Sequence, residues 1–306
     1  MLPVYCYQTV PTVLDIAHGL CDEGKLPVFG SVLAQAQTSG RGQMRRVWHS
    51  PPGNIYCAVR LPEDGPFGGL SAAPALGAVL ADSLASLGLP IALKWPNDLI
   101  IKTGSGWGKT AGILLEKRKH LIAGIGLNLA QAPPPEMLRA DAVFPAASLL
   151  GAVGRERVAE ALTAAKTCGF QYIAGDTAVS FPPGIAMTPN ASAPEERTGP
   201  AAEASFRPGG KNWFSLFEYL VCGIKVWYDN FVITKNGTDW RDLASKHLAF
   251  LGKEAVVEDA LLSEGENSTV RGIISGLGES GELRLQTRFG VKNVFGGSLR
   301  IAETGF

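Results

Sequence analysis

The sequence predicts an α+β fold, a mixed β-sheet with flanking helices followed by a small barrel of SH3-like size. Two observations carry this expectation. Short runs of alternating apolar residues follow one another with only a few helical stripes between them, which argues against regular βαβ winding. After Trp240 the pattern turns to short strands separated by glycine-containing turns, notably Gly278-Glu279-Ser280-Gly281. The expected division is residues 1–245 for the sheet region and 246–306 for the barrel.

The elements follow in order. Residues 4–9 (VYCYQT) read as an edge strand. Val13, Ile16, Ala17 and Leu20 then form a helical stripe that ends near Gly24. Thr12 with Asp15 three positions later is an N-cap pattern. Strands are expected at 28–34 and 54–61; in the second, Ile55, Cys57, Val59 and Leu61 alternate with Tyr56, Ala58 and Arg60. Leu76, Leu80, Leu84 and Leu87 mark a second helix, stopped by Gly88 and Pro90. Further strands are expected at about 91–95, 99–102, 111–117 and 120–129. From about 168 to 211 the composition is Gly, Pro, Ala, Ser and Thr, as in a long loop-rich insertion. A core-facing helical stripe resumes at Trp213, Phe217, Leu220, Ile224, Trp227 and Phe231, and the barrel strands fall near 254–258, 269–277, 282–288 and 291–301.

Bulk properties exclude several classes. Of 306 residues 46% are hydrophobic, enough for a substantial core, and Lys plus Arg equals Asp plus Glu at 28 each, so there is no basic footprint for DNA. The five cysteines, Cys6, Cys21, Cys57, Cys168 and Cys222, are scattered without a CxxC pair, which suits reduced thiols in a cytoplasm. No basic, then apolar, leader opens the chain and no run is long enough to span a membrane. His18, His49, His120 and His247 stand far apart, so a protein-held zinc site is not expected.

Gly108-Lys109-Thr110 at the end of a glycine-rich run resembles the close of a phosphate-binding P-loop, but Gly104 leaves three residues before Gly108 where four are needed. The segment after it, Ala111-Gly112-Ile113-Leu114-Leu115-Glu116, reads as a strand rather than a helix. The more unusual stretch is Gln37 to Trp48, where Arg41, Arg45 and Arg46 interleave with Gly40 and Gly42. Glycine lets the backbone approach a ligand while guanidinium groups fork onto carboxylate or phosphate. Composition alone fits a solvated basic loop equally well. Its company decides: Lys94-Trp95-Pro96-Asn97-Asp98, then Lys109, then Gly124-Ile125-Gly126-Leu127-Asn128.

These linked motifs resemble the biotin protein ligases. The resemblance covers Gly40-Arg41-Gly42, Arg46, Trp48, Ser50-Pro51, Gly53 to Tyr56, Lys94 to Asp98, Lys109 with Ala111 to Leu114, and Gly126 to Asn128, in order. It extends to Ala147-Ser148-Leu149-Leu150 and more weakly to Gly296-Gly297-Ser298-Leu299-Arg300. It implies ATP-dependent activation of biotin to biotinyl-5′-AMP and transfer to a lysine of a biotin carboxyl carrier domain. Because that chemistry joins two anions, fixed positive charge is the main provision. By similarity Lys109 and Arg41 are the catalytic cations; Thr12, Gln37, Gly40, Arg41, Lys109 and Gly112 meet biotin. Arg41, Gly42, Gln43, Arg46, Trp48, Lys94, Asn97 and Asn128 meet ATP or the adenylate, with Trp48 as a stacking face for adenine. Asp98 is assigned either to Mg²⁺ or to locking the WPND turn. ATP with Mg²⁺ is a co-substrate, no prosthetic group is expected, and a homodimer is compatible with the reading.

Three departures from the family pattern stand out. Val13 and Leu14 replace hydrogen-bonding residues expected at biotin's ureido group. Gln43 and Arg45 stand where an arginine and a glycine are usual, which implies looser retention of the adenylate. The family's helical DNA-binding extension is not present before the catalytic pattern. The alternatives are a degenerate relative that binds an adenylate without transfer, and a ligase for lipoate or octanoate.

Overall fold

The computed structural model describes residues 1–138, 144–163, 168–175, 210–262 and 267–301. Eight strands form one sheet: β1 (Leu2–Val10), β2 (Ser31–Gln37), β3 (Ile55–Arg60), β4 (Ile91–Lys94), β5 (Asp98–Thr103), β6 (Gly106–Lys117), β7 (Leu121–Leu127) and β8 (Phe170–Ala174). Their order is β4-β5-β6-β7-β3-β2-β1-β8. β1 runs parallel to β2 and β8, and the other neighbours are antiparallel. The mixed sheet with flanking helices therefore stands as expected.

Two strand expectations are corrected. β1 is not an edge strand, because β8 pairs along its outer side from Leu2↔Phe170 to Cys6↔Ala174. β8 itself arises inside the segment expected to be a loop; Phe170, Tyr172 and Ile173 supply aromatic and β-branched character that the surrounding Gly and Pro dilute. Residues 176–209 of that segment lie outside the described residues. The cysteine reading is also corrected. Laying β8 beside β1 brings position 168 against the helix that carries position 222, and Cys168 and Cys222 form a disulfide with Cα atoms 5.4 Å apart. A separation of 54 residues in sequence hides such a pair from any spacing rule.

One face of the sheet is covered by α2 (Ala72–Ser86), α5 (Lys211–Tyr228) and α6 (Trp240–His247), packed on Ile55, Cys57, Val59, Ala111, Ile113, Ala123, Ile125 and Leu127. The short helices α3 (Leu149–Val153) and α4 (Arg155–Thr163), not foreseen from sequence, close its end. On the opposite face α1 (Val13–Asp22), the crossover between parallel β1 and β2, packs on Val32, Ala34, Tyr56 and Ala58. Toward β4 and β5 the same face is covered by Ala249 and Phe250, packed on Ala92 and Ile100, and the candidate site lies between this cover and α1.

The barrel is β9 (Glu254–Leu262), β10 (Asn267–Leu277), β11 (Leu283–Thr287) and β12 (Gly290–Ile301), closed in the order β10-β11-β12-β9. Its core of Ala255, Val257, Ile274, Leu283, Leu285, Val294 and Leu299 also takes in Trp95, which is 1% exposed. The indole Nε1 of Trp95 donates to the Gly281 carbonyl at 2.9 Å, and Ala249 N donates to Leu93 O at 2.8 Å. The β4–β5 turn, with a cis Trp95–Pro96 peptide, therefore fixes the barrel to the open end of the sheet.

Candidate active site

The floor of the site is made by absent side chains. Gly112 on β6 pairs with Gly126 on β7, and Leu114 pairs with Gly124. A Cβ on Gly126 would lie 2.5 Å from the Trp48 indole, and one on Gly112 would lie 2.9 Å from it. The two glycines thus let Trp48 lie directly on the sheet. Leu14 of α1 covers Gly124 in the same way, at 3.0 Å from a Cβ built there.

Lys109 reaches this floor through a β-bulge. Leu99 pairs with Ala111, but Ile100 pairs with Lys109, which leaves Thr110 as an extra residue in β6. One inserted residue reverses the alternation of faces, so Lys109 emerges on the side of Gly112 and Asp98 rather than in the helix-covered core. The bulge is held from both sides. Lys109 N donates to Pro145 O at 2.7 Å, Ala147 N donates to Lys109 O at 2.9 Å, and Asn128 N donates to Thr110 O at 2.7 Å.

The Lys109 ammonium stands 2.6 Å from Asp98 Oδ1 and 5.3 Å from the centre of the Trp48 ring. Lys94 Nζ lies 3.6 Å from Asp98 Oδ2, across the turn that joins β4 to β5. Burial pushes the Asp98 carboxyl up, but the Lys109 and Lys94 charges outweigh it and hold the group below the usual carboxylate range. Burial holds Lys94 below its ordinary value. Both Asp98 oxygens face lysines, and among the described residues no three His, Cys, Asp or Glu side chains gather into a metal site.

Arg41 and Gln37 are engaged elsewhere. The Arg41 guanidinium forks onto Asp15 at 3.1 and 3.0 Å and reaches Glu116 at 3.1 Å. Gln37 Oε1 accepts from Val13 N at 2.9 Å, while Nε2 donates to Ser50 Oγ at 2.8 Å. Asn97 is buried and pins the turn to β6, its Nδ2 donating to Ile113 O at 2.7 Å. The Thr12 hydroxyl caps α1 by accepting from Leu14 N at 3.4 Å, and Asp15 is spent on Arg41 and Arg118 rather than on a capping box. Arg46 is exposed, with Nη2 3.6 Å from Met44 Sδ. Gln43 is exposed too, and the side chain of Arg45 lies outside the described residues.

Together these groups line a cavity of about 490 Å³. Thr12, Gln37, Arg41, Gly42, Gln43, Arg46, Trp48, Lys94, Asn97, Asp98, Lys109, Gly112 and Asn128 are all on its wall. Gly40 is not; it sits behind the wall and accepts from Trp48 N at 2.9 Å. Sequence reasoning missed the barrel's contribution, Glu258, Asp259 and Gly297 to Arg300, and the mouth residues Met137 and Phe144. The Gly296-Gly297 pair was the available signal for the barrel rim. Among the described residues, three buried polar atoms of the wall have no partner: Trp48 Nε1, Asn128 Oδ1 and Arg41 Nε. Buried polar atoms in folded proteins are nearly always satisfied, so a wall with three open ones is built for a polar ligand. The lysines suit carboxylate or phosphate oxygens, and Trp48 suits a flat or apolar group.

Residues 22–128 match the model of the Biotin/lipoate A/B protein ligase family. The bifunctional ligase/repressor BirA of Bacillus subtilis is 35% identical over 138 residues, covering 41% of this chain and 39% of that protein. The biotin–[acetyl-CoA-carboxylase] ligase of Paracoccus denitrificans is 38% identical over 136 residues, covering 40% of this chain and 53% of that protein. Over that stretch the chain is similar to the biotin/lipoate protein ligases. The matched stretch spans little more than half, or less, of these relatives' lengths. The biotin protein ligase from Aquifex aeolicus, solved in complex with biotin and ATP, aligns over 99% of this chain and all of its own, with a TM-score of 0.61 at 20% identity. At that identity the likeness speaks for the fold alone, which the two chains share from the sheet to the barrel. Among the described residues no helix is long and apolar enough to cross a membrane.

Proposed function

We propose that this chain is an ATP-dependent biotin protein ligase, which activates biotin as biotinyl-5′-AMP and transfers it to a lysine of a biotin carboxyl carrier protein or domain. The observation that carries the reading is Lys109, set by a bulge above a glycine floor and beside Trp48 and the orphaned Asn128 Oδ1. Lys109 and Lys94 offset charge as the carboxylate meets the α-phosphate, and Lys109 remains beside the mixed anhydride for the second step. Arg41, Gly42, Gln43, Arg46, Lys94, Asn97 and Asn128 serve the nucleotide side; Thr12, Gln37, Gly40 and Gly112 serve the acyl side.

Mg²⁺ belongs to this reading as part of the nucleotide substrate, held by phosphates. Asp98 then acts as the partner that orients Lys109. Residues 1–245 form the catalytic part and 246–306 the barrel, the location is cytoplasmic, and loose retention of the adenylate follows from exposed Gln43. A second reading, ligation of lipoate or octanoate, is favoured by one observation: Val13 and Leu14 line the inner wall while Thr12 and Gln37 are already hydrogen-bonded.

The test is exchange of pyrophosphate into ATP, with biotin, lipoate or octanoate added, in wild type and Lys109→Ala. Biotin-stimulated exchange lost in the variant supports the first reading. Stimulation by lipoate or octanoate alone supports the second, and no stimulation by any acid overturns both.

A further inference from the structure

Asp259 is out of place in a site for two anions. It lines the cavity from the barrel side, is exposed, and among the described residues is found in no ion pair. The cavity's other carboxylates are neutralised: Asp98 by Lys109 and Lys94, and Glu258 by Arg300 at 2.7 Å. An unpaired carboxylate on the wall of a space that takes a carboxylic acid and a triphosphate weakens both through like-charge repulsion. Its usefulness must therefore lie in a step that brings a cation.

The backbone holds Asp259 there. Its φ is +50°, in the left-handed region, and β9 bulges at this point against Gly296 and Gly297 of β12. A Cβ on Gly297 would lie 2.7 Å from the Glu258 carbonyl, so the close approach of the two strands requires that glycine. The carboxylate is consequently presented by a rigid barrel strand rather than by a loose loop.

We infer that Asp259 receives the ammonium of the acceptor lysine in the transfer step. The inference rests on the reading that this cavity forms an acyl-adenylate. The ammonium docks on the carboxylate at the barrel rim. One proton passes from nitrogen to the Asp259 carboxylate and from there to water. The freed nitrogen lone pair attacks the acyl carbon, the amide C–N bond forms, the nitrogen gives up its second proton through the same carboxylate to water, and the acyl C–O bond breaks with its electron pair leaving on AMP. Lys109 and Asp259 thus divide the two half-reactions by charge: the lysine serves anions, and the aspartate serves the one cationic reactant.

The experiment compares Asp259→Asn and Asp259→Gly with wild type in three assays. Asn and Gly both accept a left-handed φ, so either variant removes the charge without straining the bulge. The assays are biotin-dependent pyrophosphate exchange, transfer to a purified biotin carboxyl carrier domain, and trapping of the adenylate by hydroxylamine, an uncharged nucleophile at neutral pH. Transfer to the protein acceptor is expected to lose at least ten times more kcat/KM than exchange or trapping does, mainly through KM, with its pH profile displaced toward alkaline pH. Equal losses in all three assays, as a magnesium ligand or a merely structural residue would give, overturn the inference; so does transfer that keeps wild-type kcat/KM. Failure of the wild type to exchange at all is a different result and overturns the adenylate reading itself.

Discussion

Lys109 meets Asp98 at 2.6 Å because Thr110 is an extra residue in its strand. Without the bulge, the period-two alternation of β6 would turn the lysine toward α2 and leave Asp98 as a buried charge with only Lys94 beside it. Lys109→Ala is therefore expected to do two things. On the proposed reading it removes the cation at the acyl end, lowering biotin-dependent exchange by about 100-fold or more, the scale for losing one preorganised electrostatic contact. It also raises the Asp98 pKa. Asp98→Asn should lower kcat more than it raises KM, because the lysine remains but loses the group that aims it. Steady-state kinetics on both variants check this; a change in KM alone in Asp98→Asn would show that the carboxylate does not orient Lys109.

Gly126→Ala places a methyl group 2.5 Å from the Trp48 indole, with no flexible neighbour to yield. Trp48 must then leave the floor or the sheet must shift, at about 1–3 kcal/mol for overpacking. The expected result is weaker biotin and ATP binding by calorimetry and a change in tryptophan emission. Trp48→Leu is expected to recover part of the stability in the Gly126→Ala background, which a thermal melt of the double variant reads directly.

His18 gives a pH dependence with a definite sign. It is 4% exposed, burial and the nearby Arg118 charge lower its pKa from 6.5, and Glu116 at 3.6 Å and Asp15 only partly oppose them. Below pH 6.5 the unfolded chain takes up a proton that the folded chain resists, so the unfolded state gains protons and stability falls as pH drops toward the lowered folded value. His18→Leu is expected to flatten the fall in melting temperature between about pH 6.5 and 5, the interval in which a histidine titrates. A slope equal to that of the wild type would show that other groups dominate.

The fold was legible where one face decided the sequence. β3 and β7 alternate cleanly because one side meets α2 and the other meets α1 or the cavity, and the glycines of Gly124-Ile125-Gly126 fall on the cavity side. The barrel was legible from its turns. What escaped depended on contacts distant in sequence: β8 is a strand only because β1 offers an edge, and Cys168 finds Cys222 only once β8 is placed. In the site, the residue types on the wall were readable from their linked motifs, but their hydrogen bonds were not. Arg41 reads as a phosphate ligand and in the structure grips Asp15 and Glu116; nothing local in sequence marks those two carboxylates as its partners. Asp259 has no local signal either, because its place at the cavity depends on a bulge between β9 and β12.

Trp95 belongs to a motif whose polar members line the cavity, yet its own side chain points away from the chemistry. It lies in the barrel core against Val257, Leu283 and Leu285, with its indole N–H held by Gly281 O at 2.9 Å. Its neighbours Lys94, Pro96, Asn97 and Asp98 are on the cavity wall. One turn thus ties the position of the barrel rim to the position of the lysine–aspartate cluster. Trp95→Ala removes a fully buried indole, and large-to-small substitutions of this kind cost about 3–5 kcal/mol. Trp95→Phe keeps much of the packing but strands the Gly281 carbonyl, a loss of about 1–3 kcal/mol. If the turn transmits barrel position to the site, Trp95→Phe should reduce transfer to the carrier domain more than it reduces pyrophosphate exchange, since on the proposed reading the rim receives the acceptor. Equal effects on both reactions at a temperature well below the melting point would show that Trp95 acts on stability alone.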